Sequence, residues 1–144
     1  MNALARYQRV YPLVCILFLG IGGGCETIPS VPPPEAVLAG TWDLTPDQYL
    51  GLAKNVFVFD ELGRITEMRS VFLAITVTER DVHRSTSVVD RNVSIATTGN
   101  LIFDGTFNDD FTIATGKLTT EFTIPFTSTE ISIDQGNATL TQQQ

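Results

Sequence analysis

Leu118-Thr119-Thr120-Glu121-Phe122-Thr123-Ile124-Pro125-Phe126 sets Leu118, Thr120, Phe122, Ile124 and Phe126 at every second position. That is the period of a strand, in which successive side chains point to opposite faces; a helix would repeat about every 3.6 residues. Outward from this stretch the same alternation recurs. Val71, Leu73, Ile75 and Val77 alternate with Phe72, Ala74, Thr76 and Thr78, and Val93, Ile95 and Thr97 form a third series. Ile131, Ile133, Ala138 and Leu140 complete a closing pair. Thr and β-branched residues dominate, as pleated, half-buried surfaces prefer.

Turn residues separate the runs: Asp60-Glu61-Leu62-Gly63, Asp90-Arg91-Asn92, Thr98-Gly99-Asn100, Asn108-Asp109-Asp110, Ala114-Thr115-Gly116 and Asp134-Gln135-Gly136-Asn137. Gly63 and Gly136 suit the left-handed position that closes a short hairpin loop. No connection is long enough for a βαβ crossover, so neighbouring strands are expected to pair antiparallel. The spacing predicts an all-β fold, an antiparallel meander of about eight to ten strands closing into a small up-and-down barrel. One segment departs from the pattern. Thr45-Pro46-Asp47-Gln48 offers a capping Thr, Pro at the first helical position and Gln three after the cap. It predicts one short helix after the first strand, ending near Ala53.

The N-terminus is of another kind. Arg6 and Arg9 precede an apolar run from Val10 to Ile21, then Gly22-Gly23-Gly24-Cys25. The run falls short of the roughly 20 apolar residues that cross a bilayer and contains Pro12, so it reads as a secretory signal. The small-residue approach to Cys25, followed by prolines, resembles the lipobox of bacterial lipoproteins. Gly24 is as that family has it, whereas Gly22 stands where the family carries an aliphatic residue. The resemblance implies a signal peptide over 1–24, acylation of Cys25 and attachment to a membrane through it. A Pro-rich tether over 25–37 and a β domain over 38–144 then follow. Glu26 after the Cys, where enteric-type inner-membrane retention has Asp, points to the outer membrane facing the periplasm.

Cys15 would leave with the signal and Cys25 would carry lipid, so the mature domain has no thiol for a disulfide or a soft metal site. Its stability must come from burial. Without Arg6 and Arg9, seven basic side chains face all sixteen acidic ones. That balance excludes nucleic acid as a partner, because phosphate binding needs clustered Lys and Arg.

Leu38-Ala39-Gly40-Thr41-Trp42-Asp43-Leu44 resembles the first-strand Gly-x-Trp signature of lipocalins. Phe59-Asp60-Glu61-Leu62-Gly63-Arg64-Ile65 is similar to a second hairpin in bacterial lipocalin-like domains. The resemblance implies that Trp42 closes the narrow end of the barrel and that Thr45–Ala53 lies at its mouth. It also implies a small apolar ligand. The candidate contacts are Trp42, Tyr49, Phe57, Phe59, Phe103 and Phe122. No Arg or Lys follows Lys117, so the late-strand Arg of lipocalins has no counterpart.

Eight Phe lie beyond the signal. A barrel of about eight strands either is filled by such side chains or holds one small ligand. Two functions therefore stand side by side: a lipid-anchored binding module for an apolar ligand, and a structural or protein-interaction lipoprotein with a filled core. Catalysis is not expected. His83, between Asp81 and Ser85, belongs to no triad motif. Asp104, Asn108, Asp109 and Asp110 lack the spacing of a calcium loop. No cofactor or metal is expected, and no particular protein partner is indicated.

Overall fold

The computed structural model describes residues 31–49 and 53–144, and the packed unit within it begins at Pro33. The signal segment and Cys25 lie outside the described residues. A 3-10 turn, η1 (Pro34–Leu38), leads into nine strands. These are β1 (Gly40–Pro46), β2 (Ala53–Phe59), β3 (Ile65–Phe72), β4 (Ile75–Arg80) and β5 (His83–Val89), then β6 (Asn92–Thr97), β7 (Leu101–Phe107), β8 (Ile113–Thr123) and β9 (Glu130–Gln142). They form one antiparallel sheet in the order β4-β3-β2-β1-β9-β8-β7-β6-β5. The sheet curls into a half-barrel around its apolar face. The first and last strands are neighbours, with Trp42 opposite Gln142 and Leu44 opposite Leu140. Both ends of the unit therefore sit at one end of the sheet, here the lower end. The β3–β4 and β8–β9 turns sit at the upper end.

The turn chemistry explains most of the connections. Asp60 Oδ1 accepts from the Leu62 and Arg64 amides, and Gly63 follows with φ 74°. Asp90 and Asn100 take φ 55° and 63°, a conformation that Asp and Asn tolerate better than most residues. Asn108 Oδ1 accepts from the Thr112 and Ile113 amides.

Five expectations are corrected. The helix after the first strand is a three-residue 3-10 turn, η2 (Asp47–Tyr49), while Thr45 and Pro46 extend β1. Pro46 pairs with Ala138 of β9 but lies past the last β2 pair, Leu44 with Asn55, so no β2 carbonyl waits for its missing N–H. Ala114-Thr115-Gly116 runs through β8 without turning. Asp134-Gln135-Gly136-Asn137 is an irregularity inside β9: Thr119 pairs with Asp134 and Lys117 with Asn137, so two β9 residues span the step that Leu118 alone spans on β8. Gly136 has φ 86° there, and its amide bonds Asp134 Oδ1 at 2.7 Å.

Finally, Val71–Thr78 is two strands and not one, folded at Leu73-Ala74, and β8 stops at Thr123 before Ile124 and Phe126. The two-residue loop sets Phe72 directly opposite Ile75, on one face, so apolar residues follow one another through the turn. Leu73 and Phe126 adopt φ 53° and 67°, where Gly or Asn would have announced a turn.

β4 and β5 are the two edges of the sheet, separated only by Asp81 (φ 57°) and Val82. β4 descends along the upper part of β3, from Ile75 opposite Phe72 to Arg80 opposite Glu67. β5 continues downward beside the start of β3 without a ladder. Here the Ile65 amide donates to His83 Nδ1 at 3.3 Å, and Thr86 Oγ1 donates to the Gly63 carbonyl at 2.7 Å. η1 covers the lower end of this seam, where the Val88 amide donates to Glu35 Oε1 at 3.4 Å.

Candidate functional site

The inward positions of the strands meet in one cluster. Trp42 and Leu44 come from β1, Phe57 and Phe59 from β2, Ile65 and Met68 from β3, and Val88 from β5. Val93 and Ile95, Phe103 and Phe107, Ala114 and Leu118, and Ala138 and Leu140 complete it from β6 to β9, with Leu38 of η1 beneath. The Trp42 and Phe107 rings lie 5.7 Å apart at 59°, and Phe57 and Phe59 lie 5.9 Å apart at 46°. Such tilted pairs place ring edges against ring faces, the favourable quadrupole arrangement. Phe107 touches Phe111 in turn, with centroids 5.3 Å apart. Gly105 makes room for a neighbouring ring, since a Cβ there would stand 2.6 Å from Phe103 Cζ.

Of the six residues nominated for a ligand, four lie in this cluster. Trp42, Phe57 and Phe103 have 0 % exposure and Phe59 has 4 %. Phe122 stands apart on the upper part of β8, 49 % exposed. Tyr49 ends η2, and its side chain lies outside the described residues, as does Cys25. The described contacts of the four buried residues are with core neighbours, and Trp42 also donates to the Leu38 carbonyl.

The polar candidates are engaged in the fold. His83 Nδ1 is the acceptor at the seam, Asn108 closes its own turn, and Asp109 pairs with Arg91. Among the described residues, no cluster of three metal-ligating side chains occurs. An open groove of about 400 Å³ lies on the outer side of β5 to β8. Ser87, Asn92, Ser94, Asp104, Thr106 and Lys117 line it, in positions alternating with the buried ones. Asp104 stands opposite Lys117 across the β7–β8 ladder.

Two carboxylates depart from their ordinary values. Burial pushes Asp60 upward, but the Arg64 amide and guanidinium and the Leu62 amide outweigh it and hold its pKa below 3.8. The Gly136 amide and Lys117 hold the solvent-facing Asp134 below the same value. Both belong to turns.

The feature that the site candidates missed is the upper end. Phe72, Leu73, Ile75 and Val77 of the β3–β4 hairpin are half or more exposed, as is Phe126 of the β8–β9 hairpin, joined by Phe122 at just under half and by Ile131 and Ile133 at just over two-fifths. By register Phe72, Ile75 and Val77 share the face of Met68, and Phe122, Ile131 and Ile133 share the face of Leu118. The apolar face thus continues past the packed core. Charge would have flagged it, because residues 70–78 and 122–129 contain no ionisable side chain.

Compared with known proteins, the chain matches no family model, and no curated protein or solved structure shows a significant match to it.

Proposed function

We propose that this chain is a lipid-anchored envelope protein, held through Cys25 to an outer membrane on its periplasmic side. Its β unit acts as a structural or protein-interaction module through its outer surface and hairpins. The single observation that carries the choice is the complete burial of Trp42, Phe57 and Phe103. Each aromatic ring of that kind takes up about 150–250 Å² of contact surface. The interior that a ligand would occupy is therefore filled by the chain itself, which favours interaction over carriage and over catalysis.

The anchor is supported by the order of Arg6, Arg9, the apolar run and Gly22-Gly23-Gly24-Cys25. With η1 beginning at Pro34, residues 26–33 remain as the spacer. We further read the half-barrel as an up-and-down barrel of the lipocalin type. The β1–β9 pairing and the in-line course of β4 and β5 favour that reading.

Fractionation of cells expressing the full chain or Cys25→Ala tests the function. The parent should sediment with membranes and be released only by detergent, while the variant loses that association and leaves its precursor unprocessed. Unchanged membrane association and processing of Cys25→Ala would overturn the anchor. Crosslinking of the anchored chain in cells tests the module, and a purely monomeric pattern would overturn it.

A further inference from the structure

We propose that the free edge of β4 pairs with β4 of a second copy of this chain, about a two-fold axis at Thr76. The proposal deepens the interaction reading by naming the partner and its contact. The two edges of the sheet differ sharply. β5 is covered by Gly63, Ile65 and η1, whereas all six residues of β4 are exposed, and its outer edge makes no hydrogen bond among the described residues. An edge strand carries a row of unpaired amides and carbonyls that only another extended chain can satisfy in series. Edges that stay single are guarded by Lys, Pro or bulges. Ile75-Thr76-Val77-Thr78 has none of these.

The register selects the partner. In the two-residue turn the Ile75 amide faces Phe72, so the main-chain groups of Thr76 and Thr78 face outward. With Thr76 opposite Thr76 of the second copy, Ile75 meets the second copy's Val77, and Val77 meets its Ile75. Four aliphatic side chains then adjoin on one face, a favourable cross-strand set. Glu79 and Arg80 fall beyond the paired region. Centring the axis on Thr78 would instead set Val77 against the second copy's Glu79, placing a carboxylate among apolar groups. The edge is therefore complementary to itself in one register. Both ends of the packed unit lie at the opposite, lower end of the sheet.

The test uses the full chain, expressed with its signal, carrying Thr76→Cys or, as a control on the other hairpin, Ser128→Cys. In the paired register the two Thr76 Cα atoms stand about 5.5 Å apart, within disulfide reach. Mild oxidation should convert most of the Thr76→Cys chain, and little of the Ser128→Cys chain, to a species of twice the mass. Val77→Lys should weaken self-association by about tenfold or more in sedimentation of the detergent-extracted chain. Thr76→Pro should abolish it while keeping the parent melting temperature, because the lost amide faces outward. Should Thr76→Pro fail to fold, Val77→Lys and the crosslinks still decide. Equal dimer from both Cys variants, or none from Thr76→Cys, overturns the proposal. A defined adduct between Thr76→Cys and a different protein overturns the second copy while leaving the interaction reading standing. The absence of any adduct at either position counts against both.

Discussion

The indole Nε1–H of Trp42 donates to the Leu38 carbonyl oxygen at 2.7 Å, and neither residue is exposed to solvent. This bond ties η1 to the first strand. It lets a large aromatic close the lower end of the half-barrel without stranding a buried donor. The same turn places Glu35 against Gly63, so the N-terminal turn, the β2–β3 loop and β5 lock together around the indole.

Trp42→Phe should destabilise the unit by about 3 kcal/mol. It leaves the Leu38 carbonyl without its partner and opens a void beside Phe107. Urea unfolding followed by circular dichroism measures this. A loss below about 1 kcal/mol would mean that the bond and the packing are dispensable.

Gly63→Ala should cost about 2 kcal/mol or more. A Cβ there would stand 2.3 Å from the Glu35 carbonyl oxygen, at a backbone φ of 74° that disfavours any side chain. The opposite change at the upper hairpin, Leu73→Gly, should stabilise by about 1 kcal/mol, because Gly adopts the φ of 53° without strain. Paired melting curves of the two variants check both signs.

At the seam, His83→Ala removes the acceptor of the Ile65 amide, and Thr86→Val removes the donor to the Gly63 carbonyl. Each should cost about 1 kcal/mol. Amide hydrogen exchange gives the more specific readout. Ile65 should exchange faster in His83→Ala, while Phe103 and Leu140 at the centre of the sheet keep their protection. Uniform acceleration would show that the seam is not a separate opening unit.

Asp60 makes stability depend on pH in a defined direction. Its folded pKa lies below 3.8, so the unfolded chain binds the proton more readily. Its contribution is complete above that value and is lost as pH falls through the folded pKa. Asp60→Asn should lower stability at neutral pH and flatten the decline between about pH 4 and pH 2. Denaturation midpoints at pH 3 and pH 7 in both proteins measure the difference.

Much of this architecture was legible from side-chain period. Alternation marked β6 and the later half of β8, and Asp60, Gly63, Asp90, Asn100 and Asn108 marked turns through known local hydrogen bonds and left-handed backbone. What escaped was what tertiary context decides. Leu73 and Phe126 turn the chain with residues that intrinsically resist that conformation, so no local signal betrayed the upper hairpins. Gly116 and Gly136 were read as turn residues, yet one sits in a crowded ladder and the other in a β9 irregularity. Of the residues nominated as ligand contacts, Trp42, Phe57, Phe59 and Phe103 lie together in the core cluster. Whether such a cluster lines a cavity or fills a core depends on the curl of the sheet, and that depends on all nine strands at once.

The filled interior is the centre of this account, and native mass spectrometry tests it most directly. The β unit would be produced without its first 24 residues and kept free of detergent throughout. The expected mass is that of the polypeptide alone or of its dimer. A stoichiometric apolar adduct that disappears in Phe103→Ala would contradict it.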